Sequence, residues 1–230
     1  MKLTWLGHAS FRIETAEAVI LLDPWLTGNP SFPDDQRAEV VAGVTHILIT
    51  HGHGDHASEA AEIASSTGAP VVGIYDWVSH VTADGSIEGI GFNKGGTVHL
   101  GDAAVTMVNA VHSSSMAGPE GPVYTGAEAG YVIAAGEVVL YAMGDTDVMA
   151  DMALIQELHA PTHALVPIGG HFTMDAHRAA FACKKFFSFA GVVPCHYATF
   201  PLLAQDAAEF TRKVAPTPVH APAVMESVTL

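Results

Sequence analysis

The stretch HILITHGHGDHAS, residues 46–58, constrains the fold more than any other part of the chain. An apolar, β-branched run leads into His51, His53, Asp55 and His56, four metal-binding side chains within six positions. The run reads as a buried strand, and the polar block as the turn at its C-terminal end. Gly52 and Gly54 let the backbone bend there, so that neighbouring side chains converge instead of alternating between faces. Burying such a cluster without a counter-charge is costly. Imidazole nitrogens and a carboxylate are good ligands for zinc, iron or manganese. One tetrahedral ion does not comfortably take four ligands from one loop, whereas two ions use them naturally. The fold must therefore bring further ligands to the end of this strand.

Strand-length runs rich in Val and Ile recur along the chain: 10–15, 18–23, 45–50, 70–75, 103–111, 130–135, 138–143, 163–168 and 190–195. Helical patterns are expected over 58–67, 147–158, 174–187 and 201–214. Their signals are Ser58 and Thr173 as caps, Gly68 as a stop and Pro201 in a first turn. Strands bunch early and helices become frequent later, which predicts a mixed α/β chain of mixed sheets with helices outside. Segment 113–126 is long for a loop and begins beside a histidine, as a flap over a site would. Segment 92–100 reads as a turn into a strand. No linker or low-complexity tract divides residues 1–230, so a single domain is expected.

Three more residues close apolar runs as ligands at a sheet edge should. His112 follows AAVTMVNAV, Asp145 follows VVLYAMG, and His196 follows GVVPC. With His51, His53, Asp55 and His56, their order resembles the metallo-β-lactamase superfamily, whose signature is His-x-His-x-Asp-His followed by a distant His, an Asp and a final His. The flanking TWLGHASFRIE, LLDPWLTGNP, GGHFTM and PCHYATFP are similar to its small bacterial metal-dependent hydrolase branch, near the ascorbate-phosphate lactonase group.

The resemblance implies a four-layer αββα sandwich and a centre of two divalent ions, zinc first, with manganese or iron as alternatives. It implies that His51, His53 and His112 hold one ion, that Asp55, His56 and His196 hold the other, and that Asp145 bridges them. Such a pair makes hydroxide available near neutral pH and polarises the bond under attack. Asp55 is then placed to orient the hydroxide as well as to bind metal. The expected function is hydrolysis of a small ester, lactone or phosphodiester. The rivals are an iron-dependent redox protein on the same fold and a metal-binding protein without turnover. No flavin domain or GxGxxG fingerprint accompanies the first rival, and the complete ligand set argues against the second.

His171, between a strand and a helix cap, is a second catalytic candidate, as proton donor or substrate-binding group; packing of the capping loop explains it equally well. His8 and Asp23, also at strand ends, are candidates to orient a ligand imidazole, against simple turn hydrogen bonding. Trp25, Phe32 and Tyr124 are candidates for an apolar pocket rim, although core packing also accounts for aromatics.

Charge and cysteines narrow the setting. Nine basic side chains against 24 acidic ones give a net charge of −15, which disfavours nucleic acid and favours a small-molecule substrate. Cys183 and Cys195 form no CxxC motif or disulfide framework. The N-terminus does not read as a signal peptide, and no apolar run reaches the ~18 residues a bilayer demands. A cytoplasmic protein without membrane contact is expected, and the resemblance implies a homo-oligomer.

Overall fold

A computed structural model describes residues 1–230. The chain opens with β1 (Lys2–Trp5), β2 (Phe11–Glu14) and β3 (Val19–Leu22), then α1 (Arg37–Val41), β4 (His46–Leu48), α2 (Gly54–Ala57) and α3 (Ala60–Thr67). Next come β5 (Val71–Ile74), α4 (Tyr75–Val81), β6 (Gly89–Phe92), β7 (Thr97–Leu100) and β8 (Ala103–Asn109). A hairpin of β9 (Ser115–Gly118) and β10 (Gly121–Tyr124) precedes β11 (Ala129–Ala135), β12 (Val138–Ala142), α5 (Met152–His159) and β13 (His163–Pro167). The chain finishes with α6 (Ala176–Phe186), β14 (Gly191–Cys195), α7 (Ala208–Val214) and β15 (Ser227–Thr229).

Two mixed sheets form, with orders β15-β1-β2-β3-β4-β5-β6 and β14-β13-β12-β11-β8-β7. Each is antiparallel at one end and parallel at the other: β3 to β6 run parallel in the first, and β12 to β14 in the second. Helices α3 and α4 pack on the first sheet, while α5, α6 and α7 gather along the second half of the chain. This is the four-layer αββα arrangement. Ile13, Ile20, Ile47 and Val72 of one sheet and Val105, Met107, Ile133 and Leu140 of the other belong to one continuous buried core. Burial on both sides explains why the parallel strands read as uninterrupted apolar runs. A polar tie links the sheets inside that core: Tyr131 Oη on β11 donates to the carbonyl of Ile49, just past β4, at 2.6 Å.

All nine expected strands form. The short strand β1, the edge strands β6 and β15, and the hairpin at 115–124 lacked a run long enough to be read. The helices are shorter than their patterns. Residues 147–151 stay irregular because Asp147 pairs with Arg178 at 2.6 and 2.8 Å and caps Val148 N–H with its carboxylate. Residues 201–207 form turns held by Gln205 Nε2 on the carbonyls of Phe200 and Leu203, so only Ala208–Val214 is helical. Asp175, not Thr173, caps α6, accepting from Arg178 N–H. Ser58 follows the single turn of α2 rather than starting α3, which ends as expected at Gly68 in the left-handed conformation. α4 was not expected, since it continues from β5 without a side-chain cap.

Candidate metal centre

The parallel strands end at one edge, and their exits deliver the polar side chains. β4 leads to His51, His53, Asp55 and His56; β12 leads to Asp145, and β14 to His196. β8, antiparallel to β11 and so running in the same direction as β12, reaches the same edge and leads to His112. The structure thus brings together these seven residues, spread over 146 positions, and His8 with them, their donor atoms forming three overlapping groups: His51, His53 and His112; His8, Asp55, His56 and His196; and His51, His56 and Asp145.

Asp145 lies at the middle. Its Oδ2 is 3.0 Å from Nε2 of His196, 3.3 Å from His56, 3.5 Å from His112 and 3.9 Å from His51. His51 Nε2 and His53 Nδ1 face each other at 2.9 Å. Asp55 Oδ2 is 3.8 Å from His196 Nε2 and 4.0 Å from His56 Nε2. Yet His56 Nε2, Asp145 Oδ1 and both His196 nitrogens are buried without a hydrogen-bond partner. Buried polar atoms are nearly always satisfied. Unpartnered lone pairs converging on one carboxylate fit divalent cations, and the donor set of imidazoles and carboxylates suits zinc, manganese or iron.

A further layer holds these groups. Asp23 Oδ2 accepts from His56 Nδ1 at 2.8 Å and from Thr50 Oγ1 at 2.6 Å, while its Oδ1 accepts the Thr50 N–H at 2.7 Å. His8 places Nε2 3.0 Å from Asp55 Oδ2 and Nδ1 2.6 Å from Thr199 Oγ1. Asp23 therefore fixes the orientation of the His56 ring, whereas His8 steadies the Asp55 carboxylate. His8, Asp23 and His196 all have positive φ, of 54°, 46° and 56°. Non-glycine residues in that region cost of order 1–3 kcal/mol each and persist where their surroundings over-determine them.

Burial is the largest influence on the charge states. It pushes His51 well below the usual imidazole range, lowers His53 and His112, and takes His8 down to about 4. At His56 burial is outweighed by Asp145, Asp23 and Asp55, which raise it well above that range. Burial also works against charge on Asp145, but His196 and His56 hold its carboxyl well below the carboxylate range. The cluster demands positive charge at its centre, which protons or cations can supply.

A cavity of about 630 Å³ opens over this centre. His53, Asp55, His112, Asp145 and His196 line its floor, and Trp25, Phe172, Phe200, Pro201 and Leu202 its wall. Trp25 and Phe200 stack at 5.5 Å between centroids. Of the expected rim residues only Trp25 is there: Phe32 is in the core and Tyr124 is exposed on the hairpin. Ser113 lines the cavity, but the hairpin strands do not. His171 is exposed in an adjoining cleft with Asp147, Thr173 and Arg178, its ring edge-on to Phe172 at 4.6 Å. Phe172 lines both spaces. Sequence reading missed Phe172, Phe200 and Thr199; their signal was proximity to His171 and His196.

The beta-lactamase superfamily domain matches residues 2–196, from the first strand to the last histidine of the cluster. The chain belongs to the beta-lactamase superfamily. Within it, a UPF0173 metal-dependent hydrolase of Cereibacter sphaeroides is 56% identical over 230 residues, covering 100% of both chains. A UPF0173 metal-dependent hydrolase of Paracoccus denitrificans is also 56% identical over its full length. The structure of Igni18, a metallo hydrolase of the archaeon Ignicoccus hospitalis, matches with TM-score 0.87 at 35% identity, covering 99% of this chain and 97% of that one. CmlA, a diiron β-hydroxylase of Streptomyces venezuelae, matches at TM-score 0.76 but 13% identity, covering 100% of this chain and 54% of that one, and so shares the fold alone. This member of the superfamily is a metal-dependent hydrolase. No helix of the hydrolase is long and apolar enough to cross a membrane.

Proposed function

We propose that the protein hydrolyses a small ester, lactone or phosphodiester at a centre of two divalent ions, zinc first and manganese or iron as alternatives. In this reading His51, His53 and His112 hold one ion, Asp55, His56 and His196 hold the other, and Asp145 serves both. The observation that carries it is the meeting of four imidazole Nε2 atoms within 3.0–3.9 Å of Asp145 Oδ2, among buried atoms that lack partners.

The chemistry such a pair supplies when bound is Lewis acidity: activation of water near neutral pH and polarisation of the bond under attack. The protein's part is to position and to accept a proton. Asp55 lines the cavity with its side chain a quarter exposed, and His8 engages only its Oδ2. Oδ1 is left to accept a hydrogen bond from the attacking water and fix its direction. Asp23 keeps the proton of His56 on Nδ1 and frees Nε2 for the centre. His171 lies beyond Phe172, where a substrate long enough to pass that ring meets it as a binding or proton-donating group. The charge of −15 and the absence of Lys or Arg from the cavity lining favour a small molecule over nucleic acid. Two buried free cysteines suit a reducing cytoplasm.

The test is elemental analysis of the purified protein, followed by zinc or manganese loading and assay on lactones, aryl esters and bis(4-nitrophenyl) phosphate. Turnover that chelator removes and Asp55→Ala abolishes is expected. Metal-replete protein inactive across the panel, or an iron-coloured protein that consumes oxygen instead, overturns the reading.

A further inference from the structure

The wall facing the metal ligands carries information about what is bound. Phe172 and Leu202 expose 48% and 64% of their surface at the cavity mouth, and Trp25 and Phe200 are half-buried beneath them. Large apolar side chains clustered in a concave, solvent-open position mark a surface that a ligand covers. Trp25 and Phe200 are fixed. The Trp25 N–H donates to Ser10 Oγ at 3.1 Å, its carbonyl accepts from Asn29 Nδ2 at 3.0 Å, and His8 stands edge-on to both rings. The wall is thus ready-made, with little ordering to be done on binding.

Equally informative is what the lining lacks. It contains no Lys or Arg. Arg178 lies in the adjoining cleft and is already matched by both oxygens of Asp147 at 2.8 and 2.6 Å. Lys184, Lys185 and Lys213 line a separate cleft on α6 and α7. Ions at the centre can neutralise a charge on the reacting group itself. A second charge further along the substrate would meet aromatic rings and lose its hydration without a partner.

We propose that the cavity selects its substrate by an uncharged hydrocarbon or aryl group, attached to the hydrolysed bond and seated on Trp25, Phe172, Phe200 and Leu202. This rests on the hydrolase reading above for the bond that is cleaved, and on the wall alone for the group that is bound. Phe200 and Leu202 set specificity here without touching the reacting atoms.

Two measurements test it separately. In the first, zinc-loaded protein is assayed on 4-nitrophenyl acetate, butyrate and hexanoate, and on the 4-nitrophenyl monoester of glutaric acid, whose far end is charged. kcat/KM should rise about fourfold for each methylene buried against the wall. The glutarate ester should fall at least tenfold below the neutral ester of equal length. Leu202→Ser, a change at an exposed position, and Phe200→Ala should flatten the chain-length slope. In the second, the neutral fluorophore N-phenyl-1-naphthylamine is titrated into the same proteins without turnover. It should bind the wild type and bind each variant at least fivefold more weakly, with metal content and melting temperature confirming that the variants are folded. Ester turnover with a flat slope in the wild type, or probe binding that both variants retain, overturns the proposal and leaves the hydrolase reading standing. Probe binding lost in the variants, with no ester cleaved by any of the proteins, sustains the proposal and sinks the choice of ester as the cleaved bond.

Discussion

Asp23 and His56 form a buried pair in which one carboxylate oxygen accepts a hydrogen bond from Nδ1 at 2.8 Å while also accepting one from the Thr50 hydroxyl at 2.6 Å. The pair fixes which imidazole nitrogen faces the centre, and Thr50, adjoining His51, ties the same carboxylate to that histidine. Removing such a partner of a ligating histidine costs 10–100-fold in metal affinity. Asp23→Asn should therefore bind zinc 10- to 100-fold more weakly in a competition with a chromogenic chelator, with unchanged far-UV circular dichroism. Equal affinity would show that Asp23 serves only the turn after β3.

Metal removal should destabilise the fold measurably. Buried Asp145 and partly exposed Asp55 lie beside imidazoles that burial itself tends to keep neutral, so the apo centre holds negative charge that only protons offset. Restoring an ion at 100 times its dissociation constant adds about 2.7 kcal/mol. For a chain of this size that corresponds to a melting temperature about 5–10 °C higher. Differential scanning fluorimetry of chelated and reloaded protein measures it. Asp145→Asn should show less than half the shift.

Glu59 makes a pH-dependent contribution away from the ligands. Its Oε2 accepts the Leu26 and Thr27 N–H groups at 2.5 and 2.8 Å, and its Oε1 accepts Thr27 Oγ1 at 2.8 Å and Arg37 Nε at 3.2 Å. Burial pushes the carboxyl up, but the bonds from Thr27, Leu26 and Arg37 outweigh it and leave it below the usual glutamate range. Because the folded value is the lower one, the stabilisation is complete above the unfolded value and disappears as pH falls through the folded one. Glu59→Gln should cost about 1–2 kcal/mol at pH 7 in urea unfolding. The difference from wild type should vanish in acid below the glutamate range. A pH-independent difference would mean that the anchor acts by shape alone.

The cluster around Asp145 was legible because its members follow apolar runs, and burial on both faces makes those runs conspicuous. Asp145 and His196 lie 89 and 140 residues past the end of HGHGDH, yet the apolar runs they close, together with the order of the superfamily signature, singled them out. The aromatic wall was not legible. Phe200 and Phe172 sit in irregular segments whose course depends on bonds such as Ala204 N–H to the Gly169 carbonyl, and no local pattern encodes a contact of that kind. Tyr124 and Phe32, chosen for their aromatic character, show that residue type without position cannot separate rim from core. The hairpin at 115–124 was read as a loop because Gly118 and Gly121 lower its strand character.

Gly144 tests how tightly the fold controls Asp145. It has φ +66°, and a Cβ there would lie 2.6 Å from the Ala129 carbonyl oxygen and 3.3 Å from two side-chain carbons of Thr50. Neither neighbour is free to move: the Ala129 N–H donates to the Thr50 carbonyl at 3.0 Å, and Thr50 is held by Asp23. Any side chain therefore combines left-handed strain, about 1–2 kcal/mol, with a backbone clash. Gly144→Ala should be destabilised by at least ~2 kcal/mol, about 5 °C or more in melting temperature. The strain adjoins Asp145, so zinc content should fall with stability. Gly136, also at positive φ but with open space around its Cβ, supplies the contrast. Gly136→Ala should show the strain cost alone and keep its metal. Equal zinc loss in both variants would mean that general loosening, and not displacement of Asp145, empties the centre.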